Sequence, residues 1–139
     1  MKYQEIQNIL KKSRLILIIG LSRDNNKDSN IIAQYLLQNN YQLIGINPNS
    51  NKILNMKCYK ELKMIPTSQL KNIDIINIFR PSDELEDIIK QIIQLKELKR
   101  PVIWSQIGIL DKKAEEIAIK NNMKIIMNKC IKIEHANIN

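Results

Sequence analysis

The sequence predicts an α/β fold, a Rossmann-like doubly wound sheet of about five parallel strands in a single domain. Three observations predict it. The run Leu15-Ile16-Leu17-Ile18-Ile19 is apolar throughout and ends at Gly20, as a strand buried on both faces does before a tight turn. After Ser29 the apolar residues Ile32 and Leu36 fall on one helical face, as in the helix that follows the first strand of a dinucleotide fold. From there strand-like and helix-like segments alternate, which requires right-handed crossovers and a parallel sheet covered on both faces.

Each element has its own local signal. Tyr3, Ile6, Ile9 and Leu10 make one face of a short leading helix over 3–12, ahead of a core over 13–136. Leu15 to Gly20 is the first strand, Ser29 to Asn39 the second helix, and Tyr41 to Asn47 the second strand. Pro48 and the run Asn49-Ser50-Asn51 force a loop, and Cys58 to Pro66 holds at most a short helical turn. Ile73 to Phe79 is a third apolar run, stopped by Pro81. Ser82 is suited to N-cap a helix reaching about Leu98, with Asp83, Glu84, Glu86 and Asp87 near its positive end. Pro101 to Trp104 forms a fourth strand, Asp111 caps a helix to Asn121, and Lys124 to Met127 is the fifth strand, followed by a short tail from Cys130. Trp104 is expected in the core with its indole N–H satisfied locally, and Asp74 at a strand start capping a neighbouring amide.

Composition bounds the function. A chain of 139 residues is long enough to bury roughly 70% of the surface that its unfolded form exposes. The net charge is +8, but the 22 basic residues are spread without a long run and lysine is favoured, with isoleucine and asparagine, by AT-rich codons, so a small anionic ligand is preferred to nucleic acid. The apolar run Leu15 to Leu21 follows basic residues as a leader would, yet it has seven residues, a polar stretch after it and no cleavage site, so export is not expected. No segment approaches the roughly 20 apolar residues of a membrane span, and a soluble, cytoplasmic protein without a membrane partner is expected. Cys58 and Cys130 lack metal-ligand spacing and fit a reducing compartment. No P-loop, serine elbow or metal cluster is visible.

In such a sheet the ligand lies outside the carboxyl ends of the strands. The first such segment offers Gly20 for a close turn, Ser22 as a hydroxyl, Arg23 and Lys27 as cations, and the free amides of a helix starting near Ser29, a combination suited to pyrophosphate. It is not a nicotinamide fingerprint: Ser22 and Asn25 stand where G-x-G-x-x-G needs glycine. At the end of the second strand a dinucleotide enzyme places an acid on the ribose, and here Asn47-Pro48 stands instead. That pair supplies a neutral hydrogen-bonding group and a rigid apolar plate, tolerant of a phosphorylated ribose within reach of Lys52.

Gly20-Leu21-Ser22 with Lys27-Asp28-Ser29, then Asn47-Pro48, Lys57-Cys58-Tyr59, Asp74 to Phe79-Arg80, Trp104-Ser105-Gln106-Ile107-Gly108-Ile109 and Cys130-Ile131-Lys132-Ile133-Glu134-His135 follow one another in fixed order from about Ser13 to Ala136. In that order the chain resembles the small CoA-binding proteins, whose fold is similar to the CoA-binding domain of the succinyl-CoA synthetase alpha subunit and of acyl-CoA synthetases. The resemblance implies that Gly20, Leu21, Ser22, Lys27 and Ser29 line the diphosphate and ribose phosphate, that Asn47 and Pro48 meet the adenosine portion, and that Phe79, Arg80 and Pro81 border the cofactor. Gln106 and Gly108 would approach the pantetheine arm. Two departures stand out: Asn25-Asn26 replaces a loop that often has proline, and Ser105 stands where the family has a larger apolar residue.

The function expected is non-catalytic binding of coenzyme A or an acyl-CoA, as carrier, sensor or reservoir. The alternatives are a CoA ligase or transferase component completed by a partner chain, a thiol-disulfide exchanger using Cys130 on the ligand rim, and NAD(P) as ligand; a homodimer is left open. His135 beside Glu134 has the chemistry of a base and its orienter, but a tail histidine with an acidic neighbour reads as structural.

Overall fold

All five residues of β1 (Leu15–Ile19) are buried, and they alternate between two cores. Ile16 and Ile18 join one apolar cluster; Leu15, Leu17 and Ile19 join the other. A strand sandwiched in this way has no polar face, so its period of two is invisible in the sequence. The computed structural model describes residues 1–138. The remaining strands are β2 (Gln42–Ile46), β3 (Lys52–Ile53), β4 (Met56–Tyr59), β5 (Ile75–Ile78), β6 (Val102–Ser105) and β7 (Ile125–Ile126). They form one sheet in the order β3-β4-β2-β1-β5-β6-β7. Only β3 runs antiparallel to its neighbour.

The helices are α1 (Tyr3–Lys12), α2 (Asp28–Gln38), α3 (Thr67–Leu70), α4 (Leu85–Gln94), α5 (Lys112–Lys120) and α6 (Ile131–Ala136). Ile6 and Leu10 of α1, Ile32 and Leu36 of α2 and Ile131 of α6 cover one face of the sheet. Leu70 of α3, Ile88 and Ile92 of α4 and Ala114 and Ala118 of α5 cover the other. The chain leaves β1 for β2 on one side and reaches β5 on the other side, so the strand order reverses at β1 and opens a crevice above its carboxyl end.

The Rossmann-like α/β architecture is as expected, but the sheet has seven strands rather than about five. The segment expected to be loop and helical turn holds the β3–β4 hairpin, a 3₁₀ turn over Leu62–Met64 and α3. The hairpin turn places both Leu54 and Asn55 at positive φ, 51° and 65°, the conformation of a type I′ turn. The usual Asn-Gly signal is replaced by Leu54-Asn55, and Leu54 is held there by packing on the first core.

Three boundaries also differ. The helix expected to reach Leu98 ends at Gln94, where Leu95 turns to ψ 91° and a Leu98 N–H to Leu95 C=O bond of 3.2 Å folds both leucines onto the second core. Their helical spacing is therefore a turn spacing. The fifth expected strand shrinks to Ile125–Ile126, and the tail after Cys130 is helix α6. Ser82 does not cap its own helix: its Oγ accepts the Leu110 N–H at 2.9 Å, tying α4's entry to the loop after β6. Trp104 is fully buried and donates its indole N–H to the Lys129 carbonyl at 2.9 Å. Asp74 accepts the backbone N–H groups of Arg14 and Leu15 at 2.7 and 3.0 Å, aligning β5 with β1. Among the described residues no helix is long and apolar enough to cross a membrane.

Candidate functional site

The crevice is built by the loop between β1 and α2. Gly20 takes φ +88°, and the Gly20 and Leu21 N–H groups both donate to the Ile46 carbonyl, at 3.2 and 3.3 Å, so the loop bends across the end of β2. Leu21 then folds over Gly45, where an added Cβ would stand 2.7 Å from Leu21 Cδ2 and 2.8 Å from Cys58 Sγ. A larger residue at 45 would have to displace the Leu21 or Cys58 side chain. Asn47 donates its amide to the Leu21 carbonyl at 2.9 Å and accepts the Asn49 N–H at 2.7 Å. One side chain therefore welds the first loop to the second.

The far side of the loop is fastened to α2. The Ser22 N–H donates to Ser29 Oγ at 2.9 Å, and Asn30 donates its amide to the Ser22 carbonyl at 2.8 Å. Ser22 Oγ accepts the Asp24 N–H at 3.0 Å, a local turn of the kind hydroxyls make. Helix α2 begins without a side-chain cap, and the Asp28 and Ser29 N–H groups have no backbone or side-chain acceptor among the described residues. These donors stand at the positive end of an 11-residue helix, where the backbone dipoles favour negative charge.

Two cavities meet at this loop, sharing Gly20 and Ser22. The first, of about 520 Å³, is lined among others by Leu21, Asn47, Pro48, Asn49, Lys60, Arg80 and Glu84. The second, of about 380 Å³, is lined among others by Lys27, Ser29, Phe79, Gln106, Ile107 and Ile109. The waist between them is narrow because a Cβ on Gly20 would meet Arg80 Cδ at 3.0 Å and the Phe79 carbonyl oxygen at 3.2 Å.

The electrostatics of the two lobes differ. In the first, Arg80 donates from Nε and Nη2 to the two carboxylate oxygens of Glu84, at 3.1 and 2.7 Å. The hydrogen-bonded guanidinium holds the Glu84 carboxyl below its ordinary range, and Glu84 in turn raises Arg80. In the second, Gln106 donates to the Asp28 carboxylate at 3.1 Å. That contact fixes the amide orientation and leaves Gln106 Oε1, buried, without a partner.

Most residues singled out in the sequence converge here: Gly20, Leu21, Ser22, Asn47, Pro48 and Arg80 line the first lobe, and Lys27, Ser29, Phe79 and Gln106 the second. Arg23, Pro81, Gly108 and Cys130 line neither. Arg23 is exposed, Pro81 precedes the 3₁₀ turn Ser82–Glu84, and Gly108 donates its N–H to Asn128 Oδ1 at 2.6 Å. Cys130 is half-buried against the α1–α2–α6 core, Cys58 lies on β4 near the opposite edge of the sheet, and both are free thiols. Lys52 sits on β3 away from the lining, and Lys60 stands in the lobe instead. Lys60, Glu84, Asp28 and the buried Asn30 were not singled out as site residues by sequence. Only the Asp28 position, in the first turn of α2, had a readable signal.

Ser105 does not form a cavity wall. Its buried hydroxyl donates to the Ile109 carbonyl at 2.7 Å and accepts the Asn128 N–H at 3.1 Å, joining the loops after β6 and β7. His135 lies outside both lobes: Nδ1 meets Tyr35 Oη at 2.7 Å, and the ring packs edge-on to Tyr35 and Tyr41.

The model of a CoA binding domain family matches residues 14–136. An uncharacterized protein of Bacillus subtilis, YneT, is 31% identical over 132 residues, covering 95% of this chain and 93% of its own. An ADP-forming acetate–CoA ligase of Methanocaldococcus jannaschii is 29% identical over 130 residues, of which the match spans 89% of this chain and 18% of the ligase. A solved structure of a hypothetical protein from Pyrococcus horikoshii superimposes with a TM-score of 0.86 at 26% identity, covering 98% of this chain and 91% of that one.

Proposed function

The chain belongs to the CoA-binding domain family, and we propose that its two-lobed crevice holds coenzyme A or an acyl-CoA as a non-catalytic binding module. The observation that carries this reading is the waist. Gly20 and Ser22 border both lobes, next to the unpaired Asp28 and Ser29 amides, so a diphosphate placed there would send one arm into each cavity.

The first lobe suits adenosine. Pro48 offers an apolar plate, and no carboxylate follows β2 to claim the ribose hydroxyls, which weighs against NAD. The second lobe suits pantetheine: Phe79, Ile107 and Ile109 supply apolar contact, and the Gln106 side chain, with its Oε1 buried and unpartnered, adds a polar group to the wall. Leaving that oxygen unpaired in a buried site costs about 1–3 kcal/mol.

Similarity to part of a CoA ligase favours a second reading, a CoA-holding component completed by a partner chain. In this reading the crevice does the same work and the chemistry lies elsewhere. Calorimetry with CoA, acetyl-CoA, NAD and ATP tests the ligand: CoA and acetyl-CoA bind, and NAD binding without a CoA response contradicts the proposal. A turnover assay with acetate, ADP or ATP and CoA, with and without cell extract, separates the readings. Turnover appearing only with extract supports the partner-dependent component.

A further inference from the structure

Resting on that reading of the first lobe as the adenosine pocket, we infer that Lys60 is its specificity residue, selecting a ribose that carries a phosphomonoester. Three observations converge on it. Tyr59 pairs with Ile46 in the parallel β4–β2 ladder and its carbonyl accepts the Asn47 N–H at 3.0 Å. Lys60 therefore leaves β4 directly beside Asn47-Pro48, where the ribose of a nucleotide in this fold lies, and it lines the cavity.

The second observation is the lobe's charge. Its lining holds two cations, Lys60 and Arg80, and one carboxylate, Glu84. Glu84 is already engaged by both donors of the Arg80 fork. Among the described residues no ion pair includes Lys60, so the uncompensated charge of the lobe sits on Lys60.

The third is the missing acid after β2. An unphosphorylated ribose finds no carboxylate for its hydroxyls there, while a phosphate finds an ammonium able to donate three hydrogen bonds. An ammonium on a flexible stem is a point-charge phosphate binder, so its discrimination rests on charge and weakens with salt.

Titration calorimetry with adenosine 3′,5′-bisphosphate and adenosine 5′-monophosphate tests this without the pantetheine arm. The wild-type chain should bind the bisphosphate at least roughly tenfold more tightly, about 1.4 kcal/mol. Lys60→Met should erase that preference by weakening the bisphosphate far more than the monophosphate, and leave the thermal midpoint unchanged because Lys60 is exposed and makes no ion pair among the described residues; Lys60→Arg should keep it. A preference that survives Lys60→Met, or that is absent from the wild type, overturns the inference. CoA binding with a Lys60-independent preference leaves the proposed ligand standing and this inference refuted. A Lys60-dependent preference without CoA binding does the reverse.

Discussion

Gly20 and Arg80 are so close that a single methyl group on Gly20 would stand 3.0 Å from the Arg80 Cδ. The same glycine holds φ +88°, a conformation that L side chains rarely adopt. Backbone geometry and the cation of the first lobe are thus set by one position. Gly20→Ala should destabilise the fold by about 1–2 kcal/mol and displace Arg80, weakening CoA binding more than tenfold. Urea denaturation and calorimetry measure the two effects. Unchanged affinity would show that the waist is not where the ligand crosses.

Glu84 competes with any phosphate for the Arg80 fork. Both side chains are nearly half exposed, at 47% and 44% of their accessible surface, so the pair adds well under about 1 kcal/mol to stability. Glu84→Gln should leave the thermal midpoint within a few degrees of wild type and tighten CoA binding several-fold, with a steeper dependence on salt. Weaker binding would mean that Glu84 orients Arg80 for the ligand.

Gln106 separates the lobes experimentally. Gln106→Met keeps the volume of the side chain and removes the amide that borders the second cavity. CoA affinity should fall about tenfold, in line with one buried hydrogen bond, while adenosine 3′,5′-bisphosphate binds as before. Equal losses for both ligands would place Gln106 in scaffolding through its contact with Asp28.

His135 makes stability depend on pH. Burial lowers its pKa, and its Nδ1 shares a 2.7 Å hydrogen bond with the Tyr35 hydroxyl. A histidine depressed in the fold contributes stability that is fully present above its ordinary value near 6.5 and is lost as the pH falls through the folded value. Thermal melts should therefore show α6 loosening on acidification below about pH 6.5. His135→Phe, which cannot titrate, should flatten that portion of the profile at the cost of the Tyr35 hydrogen bond. An identical acid slope in the variant would show that the pH dependence arises from another group.

The β-α alternation, the buried β1 and the loop from Gly20 to Ser29 were legible in the sequence because each rests on local pattern. What was not legible rests on distant partners. The β3–β4 hairpin depends on Leu54 accepting positive φ for the sake of core packing. Lys60 reaches the site only because β4 docks on β2, a pairing that two short strands could not announce. Asn30 reads as an ordinary helix residue, yet it is fully buried and holds the Ser22 carbonyl. Gly108, implied by the family resemblance, and Cys130, expected on the rim after the fifth strand, line neither cavity: the Gly108 N–H is held by Asn128, and Cys130 immediately precedes α6.

Passage of coenzyme A across the Gly20–Ser22 waist is read out by calorimetric titration of the purified chain with CoA against NAD. CoA should bind saturably and one-to-one, and NAD, whose ribose finds no acid after β2, at least about a hundredfold more weakly. NAD binding as tightly as CoA, or no heat with CoA at millimolar ligand, would contradict it.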